Sequence, residues 1–319
     1  MNRRDLAQAI TLIESTRPED RDKANAIFES LTSPKKPTFR IGVSGVPGAG
    51  KSTFIDAFGR LLIEKGHKVA VLAIDPSSPL THGSILADKT RMQRLSSSPD
   101  AFIRPTPSGG ILGGVAARTR EVTYLCESAG YDIILIETVG VGQSETEIYD
   151  LTDAVLLLIP PAAGDELQGL KKGIVEIADI LLINKADGEL EALCNQAYQV
   201  YAGALKLTPP RSPFWSPPLH KISSLEGRGL EDVWNDLEHY RAASQKSGDW
   251  ERRRKQQRVK WFEDEVREEL WRVFKENYGE YIEKEHKSPV HAARDLVRKN
   301  FTSPLRGRGR PIGSGEGEI

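Results

Sequence analysis

The segment Gly45-Val-Pro-Gly-Ala-Gly-Lys-Ser-Thr53 carries the strongest chemical signal in the chain. A glycine, four residues, then Gly-Lys-Ser is the spacing of a phosphate-binding loop. Its glycines let successive backbone N–H groups close around phosphate oxygens, and the helix that follows adds its positive dipole end. On this reading Gly45, Val46, Pro47, Gly48, Ala49, Gly50, Lys51, Ser52 and Thr53 surround the phosphates. Lys51 is the catalytic candidate, reaching the β- and γ-phosphates, and Ser52 offers its hydroxyl to Mg²⁺. The plain alternative is a glycine turn that opens a helix. Against it stand the apolar run before the segment (39–44) and the helical pattern after it (53–65).

A second signal is Asn184-Lys-Ala-Asp187, at the end of an apolar run. In G proteins an Asn-Lys-x-Asp segment selects guanine. Its aspartate accepts hydrogen bonds from guanine N1 and N2, donors that adenine lacks, so adenine would leave a buried carboxylate unpaired. Asn184, Lys185 and Asp187 are therefore base-binding candidates, and GTP or GDP is the expected ligand. Ile222-Ser-Ser-Leu225 follows a further expected strand (219–223) and suits the loop that backs the guanine ring, adding Ser223, Ser224 and Leu225.

The third signal is Asp132-Ile-Ile-Leu-Ile-Glu-Thr-Val-Gly140. An apolar strand delivers Glu137, which suits a direct or water-mediated role at Mg²⁺, and the Gly140 N–H suits a γ-phosphate. Most small G proteins carry a glutamine just after this glycine, to orient the attacking water. Here Val141 stands there and Gln143 comes two later, which implies slow intrinsic hydrolysis. Asp75 in Ala73-Ile-Asp-Pro-Ser-Ser78, and Asp88 in the stretch 83–92, are further oxygen donors suited to Mg²⁺.

These residues need strands that end where they stand. Apolar runs at 39–44, 69–74, 133–137, 154–159 and 180–184 are nearly continuous in Val, Ile and Leu and alternate with helical stretches. That is the pattern of an α/β fold whose mostly parallel central sheet is covered on both faces. The expected organisation is an N-terminal helical extension (1–38), a P-loop GTPase domain (39–245), a C-terminal helical, dimerising region (246–302) and a disordered tail (303–319). Residues 208–218 hold five prolines and read as a surface loop. Apolar residues at 259, 262, 266, 270 and 273 share one helix face, a candidate for contact with a second copy.

Composition narrows the functional classes. With 39% hydrophobic and 28% charged residues, the chain can bury a core. A net charge of −1 provides no global attraction to nucleic acid or membrane. Arg308-Gly-Arg-Pro311 has the form of a minor-groove hook, but one copy in a short tail reads as a solvated segment. No apolar run is long enough to span a membrane and no apolar signal core opens the chain, so a cytoplasmic protein is expected. Two cysteines and six scattered histidines argue against a disulfide scaffold and against a metal-insertion GTPase with Cys/His tracts. Asn184-Lys-Ala-Asp187 argues against a small-molecule kinase.

Several longer stretches closely resemble the MeaB family, the G-protein chaperones of adenosylcobalamin-dependent methylmalonyl-CoA mutase called MMAA in animals. They are Asp75-Pro-Ser-Ser-Pro, Gly83-Ser-Ile-Leu, Glu137-Thr-Val-Gly-Val-Gly-Gln-Ser-Glu145, Gly164-Asp-Glu-Leu-Gln-Gly-Leu-Lys-Lys-Gly173 and Asn184-Lys-Ala-Asp-Gly188. The resemblance spans about residues 38–240. It implies a Mg·GTP site, a homodimer, and gating of cofactor delivery to a B12-dependent acyl-CoA mutase that the chaperone also protects. By the same resemblance Lys51 and Ser52 hold phosphate and Mg²⁺. Asp75, Asp88 and Glu137 are metal-associated acids, and Asp187 reads guanine. The stretch 160–171 matches the family's extra mobile loop, which supplies Lys171 as a second catalytic candidate. His82 and Ala87 stand where the family usually has glycine, Pro161-Ala162 replaces a usual Pro-Gly, and the match weakens after about residue 245.

Overall fold

A computed structural model describes residues 1–15, 17–31, 37–75, 92–107, 114–138, 144–161, 176–207, 210–282 and 288–301. Seven described strands are β1 (Phe39–Gly45), β2 (Val69–Asp75), β3 (Ala101–Pro107), β4 (Ile133–Glu137), β5 (Ala154–Ile159), β6 (Ile180–Ile183) and β7 (Leu219–Lys221). They pair in parallel throughout, in the order β3-β2-β4-β1-β5-β6-β7. β1 is central, with β4 and β5 as its neighbours, so the loops after these three strands leave from one edge of the sheet. That edge, where the chain first runs to one side and then to the other, is where an open parallel sheet takes its ligands.

The strands are buried on both faces because helices cover both. On one face Ile41, Val43, Val71, Leu135 and Leu156 meet Phe54, Phe58 and Leu62 of α3 (Lys51–Glu64), Leu95 of α4 (Gln93–Ser96) and Val233, Trp234 and Leu237 of α8 (Leu230–Ser247). On the other, Leu72, Ile134 and Ile136 meet Leu6, Ile10 and Ile13 of α1 (Arg3–Ile13) and Val122 and Leu125 of α5 (Gly114–Ser128). Further along this face Leu157, Leu181 and Ile183 meet Cys194, Ala197 and Tyr201 of α7 (Glu191–Leu207). Helices α2 (Pro18–Ser30) and α6 (Ser144–Leu151) complete this layer. α1 starts with a capping box: the Asn2 side chain accepts from the Arg4 and Asp5 amides, both at 2.9 Å, and the Asp5 carboxylate accepts from the Asn2 amide at 3.3 Å.

β3 is not among the apolar runs read from the sequence. Its Ala-Phe-Ile-Arg-Pro-Thr-Pro composition lacks the Val/Ile/Leu continuity of the others. It lies at the edge and pairs with β2 alone, where a proline costs no ladder bond. The proline-rich stretch also does more than cross the surface. Phe214 and Trp215 pack against the core, and the Trp215 indole donates to the Asp179 carbonyl at 2.8 Å.

The chain divides into two compact units, Met1–Glu268 and Glu269–Ile319. The first includes the start of α9 (Asp249–Ile282), which is fixed at the N-terminal ends of β1 and β5. Buried Arg253 donates to the Asp153 carbonyl at 2.8 Å and lies over the Tyr149 ring. Arg254 binds both carboxylate oxygens of Asp153, at 2.8 and 2.7 Å, and Asp153 also accepts from the Arg40 amide at 2.9 Å. Burial alone would raise the Asp153 carboxyl; Arg254 and Arg40 instead hold it below the usual carboxylate range. The second unit holds the end of α9, non-helical at Tyr278, and α10 (Pro289–Phe301).

Within the first unit α9 also meets α5. Arg120 pairs with Asp264 at 2.8 Å, and Tyr124 meets Trp261 edge-on at 6.2 Å. Between them sits Glu121. Burial, then Glu265, raise its carboxyl, Arg118 opposes and Glu268 adds to the rise, so it is pushed up to about 8. A folded-state pKa above the unfolded one contributes stability that is complete below the unfolded value and lost as pH rises through the folded value. The native chain is therefore expected to lose melting temperature between about pH 5 and 8, and Glu121→Gln to flatten that slope and melt higher than the native chain at pH 9. Thermal melts of both across this range test it; parallel curves would refute it.

Candidate functional site

The phosphate loop leaves β1 at Gly45 and enters α3 at Lys51. Two glycines are required there by space as well as by backbone. Gly45 has φ +151°, and a Cβ on it would sit 2.3 Å from the Leu158 carbonyl oxygen of β5. Gly50 has φ +91°, and its Cβ would sit 2.6 Å from the Asn184 amide nitrogen. Within the loop the Ala49 amide donates to the Val46 carbonyl at 3.2 Å, and the first helical turn closes with Phe54 N–H on the Gly50 carbonyl at 2.9 Å.

Lys51 lies at the loop's mouth, its ammonium donating to the Gly45 carbonyl at 2.8 Å and the Val46 carbonyl at 3.3 Å. Burial pushes it below the ordinary lysine value, against the opposing pull of the Glu137 carboxylate. The Ser52 hydroxyl donates to Glu137 at 3.1 Å. Glu137 is delivered by β4, in register with Val43 of β1. Next to it Thr138 donates its amide to the Val43 carbonyl at 3.1 Å, and its hydroxyl to the Ser44 hydroxyl at 3.2 Å, joining the two strand ends. β2 ends at Asp75 on the same edge, two residues past Ala73, which is in register with Glu137.

Ser52 and Glu137 are hard oxygen donors, the chemistry Mg²⁺ prefers. Among the described residues no cluster of three or more His, Cys, Asp or Glu could hold a metal by itself. A pair of protein oxygens fits an ion that takes its remaining ligands from phosphate and water.

The residues expected from the sequence to bind the base converge on Asn184. Its side-chain amide donates to the Ala49 carbonyl of the phosphate loop at 2.9 Å. Its side-chain oxygen accepts from the Ser224 amide at 3.2 Å and hydroxyl at 2.7 Å. Its backbone amide donates to the Ile159 carbonyl at 2.9 Å, and its carbonyl accepts from the Cys194 thiol at 3.6 Å. Lys185 follows at φ +66°, left-handed backbone that costs a non-glycine residue about 1 kcal/mol or more. Asp187 then accepts a hydrogen bond from the Ser223 hydroxyl, which in turn accepts from the Glu226 amide at 3.1 Å.

The residues of the phosphate loop, Glu137, Asn184, Lys185, Asp187, Ser223 and Ser224 are thus brought to one edge of the sheet by β1, β4, β6 and β7. Leu225 lies in the same loop and is 77% exposed, so its side chain is free to cover a ligand. Asp88, Gly140, Val141 and Lys171 lie outside the described residues, as do His82, Ala87 and most of the 160–171 stretch. Sequence reasoning did not single out Cys194 or Thr138. Neither sits in a short motif of its own, and Cys194 reads as one more apolar residue of an amphipathic helix.

Comparison with known proteins identifies the family. Residues 6–279 match the family described as methylmalonyl Co-A mutase-associated GTPase MeaB. The chain belongs to the MeaB family. It is a GTPase with a P-loop fold. It is 45% identical over 310 residues to the mouse methylmalonic aciduria type A homolog, mitochondrial, covering 94% of this chain and 72% of that one. It is 46% identical over 265 residues to the GTPase ArgK of Escherichia coli (strain K12), covering 83% and 80%. Among solved structures it is similar to one described as a LAO/AO transport system kinase, with a TM-score of 0.72 and 37% identity, over 95% of this chain and 90% of that one.

The Asp187 carboxylate, which accepts from Ser223, is the group that the sequence analysis expects to read the base. Asp187→Ala is expected to weaken GDP binding by roughly 2–4 kcal/mol and to leave ADP binding unchanged. Calorimetry with the two nucleotides measures both, and equal native affinities for GDP and ADP would refute the assignment.

Proposed function

We propose that the chain is a Mg²⁺-dependent GTPase chaperone of a B12-dependent acyl-CoA mutase, methylmalonyl-CoA mutase before others, gating adenosylcobalamin loading and protecting the mutase. The observation that carries the proposal is the joined site, in which Asn184 ties the phosphate loop to the guanine-reading loop in a chain of the MeaB family. The description of that family and the name of the mouse relative both point to methylmalonyl-CoA chemistry. Another B12 acyl-CoA mutase as client is the second reading. The two cysteines, both free and buried, suit a reducing compartment such as the cytoplasm.

The chemistry follows from the residues at the strand ends. Backbone N–H groups of the phosphate loop and the start of α3 hold the phosphates, and Lys51 compensates the charge that grows on the β–γ bridging oxygen as its bond to the γ-phosphorus breaks. Phosphate oxygens would also return Lys51 towards its ordinary value, since an anion offsets its burial. Ser52 and Glu137, with Asp75 and Asp88, would hold Mg²⁺, which when bound neutralises charge on the β- and γ-oxygens. Gly140 would meet the γ-phosphate.

With Val141 in place of a water-orienting glutamine, intrinsic turnover is expected to be slow. The client supplies the remainder by bringing Lys171 of the 160–171 stretch to the nucleotide, where it neutralises transition-state charge. Single-turnover hydrolysis, with and without purified mutase, checks this for native chain and Lys171→Ala. Stimulation of the native chain and its loss in the variant are expected. An unchanged native rate with cognate mutases refutes client activation, and stimulation that persists in the variant refutes the role of Lys171.

A homodimer through the C-terminal region is part of the same proposal. Val259, Phe262 and Val266 are 50%, 70% and 40% exposed in the first unit, and Leu270 and Val273 are 60% and 42% exposed in the second. Exposed apolar residues that recur along a helix in this way mark association surfaces. Phe262→Glu with Leu270→Glu is expected to convert a dimer to a monomer by sedimentation, with GDP binding retained. A native monomer would refute the assignment.

A further inference from the structure

The Asn184–Lys185 peptide bears an unusual load. Lys185 is the one non-glycine residue with left-handed backbone among the described residues. Its φ is set by the orientation of the peptide whose carbonyl belongs to Asn184. That carbonyl is buried with its residue, and among the described residues the Cys194 thiol is its donor, at 3.6 Å. Cys194 is itself fully buried on α7, among Leu181, Ile183, Ala197 and Tyr201. α7 begins four residues after Asp187, separated from it by the short turn Gly188–Leu190. The thiol thus reaches back from the helix to the start of the guanine-reading segment.

We propose that Cys194 is a positioning residue for guanine selectivity. Its S–H bond holds the Asn184–Lys185 peptide plane in the orientation that left-handed Lys185 requires, and Lys185 in turn sets where Asp187 presents its carboxylate. The proposal rests on the reading of Asp187 as the guanine-binding group. Burial raises the Cys194 thiol, and the nearby Asp187 charge raises it further, so the sulfur keeps its proton at neutral pH and remains a donor. A residue that merely filled space here would need neither a proton nor a direction. Asn184 is already fixed at both ends of its side chain and at its amide. Its carbonyl is the group that decides how the chain continues.

The test separates a donor from a filler. Cys194→Ala and Cys194→Val both remove the donor, Val preserving apolar volume. Cys194→Ser restores a donor at the same carbon. Calorimetry with GDP and ADP on the full chain, with thermal melts, supplies the readouts. The expected result is a loss of GDP affinity of about threefold to tenfold in the Ala and Val variants. ADP affinity is unchanged in both, and GDP affinity in the Ser variant returns to within about twofold of native. Selectivity then moves with the donor and not with melting temperature. Should Ala fail to fold, the Val and Ser pair carries the same comparison. Native GDP affinity in both Ala and Val would overturn the proposal, as would equal losses for GDP and ADP or a Ser variant no better than Val. A native chain that does not prefer GDP over ADP overturns the guanine reading itself, a result distinct from a selective native chain whose variants stay equally selective.

Discussion

The site depends on one side chain. A carboxamide offers a donor and an acceptor at fixed separation, and Asn184 spends them on different segments: its nitrogen on the phosphate loop, its oxygen on the loop after β7. Its backbone amide adds the end of β5 and its carbonyl adds α7. The segments expected to hold phosphate and base lie more than a hundred residues apart, and Asn184 is where the structure joins them. Aspartate there would lack the donor for Ala49, and glutamine would carry the amide one bond further out. The same nitrogen closes the space above Gly50, so the phosphate loop is shaped partly by the base-reading segment.

Much of this was legible because buried parallel strands write themselves as unbroken apolar runs, and the phosphate loop, Glu137 and the Asn184 segment each stand at the end of one. The phosphate loop and Asn184 through Asp187 were read from their own spacing and residue types, with the strand ends before them as context, Glu137 from the strand that delivers it, and the family from the longer segments around them. β3 was not legible, because an edge strand pairs on one side and tolerates prolines that would be fatal further in. Nor was the burial of Phe214 and Trp215, since a proline-rich stretch reads as loop whether or not its aromatics turn inward. The bond between Ser223 and Asp187 was not legible either: sequence reasoning placed Ser223 among the nucleotide-binding residues, and no sequence pattern announces that its hydroxyl donates to the Asp187 carboxylate.

The anchor of α9 is built from expensive parts. Asp153, Asp179 and Arg253 are all nearly fully buried, and charge taken out of water is repaid only where geometry and hydrogen bonding are good. Here the two guanidinium groups answer backbone carbonyls as well as carboxylates: Arg253 meets those of Asp153 and Tyr149, and Arg254 that of Thr38. Apolar contacts would stabilise a helix here in several registers. Carbonyls at fixed positions accept it in one. The first turns of α9 are thereby set against the sheet with directional bonds, which suits a helix whose later face is apolar and exposed.

Anchor and site share their struts. Asp153 stands immediately before β5, and its carboxylate holds the Arg40 amide of β1. At their other ends these strands become the phosphate loop and the Ile159 carbonyl that receives Asn184. Five register pairs bind β1 to β5 between those points, from Ile41 with Ala154 to Gly45 with Leu158. A paired strand cannot slip by less than a residue step without breaking its ladder, and a one-residue slip would turn every buried side chain to the wrong face. The distance between the α9 anchor and the nucleotide loops is therefore fixed by covalent geometry and register. A load on the beginning of α9 bears on β1 and β5 as rigid members, and these two strands support both the phosphate loop and the residue that joins it to the base.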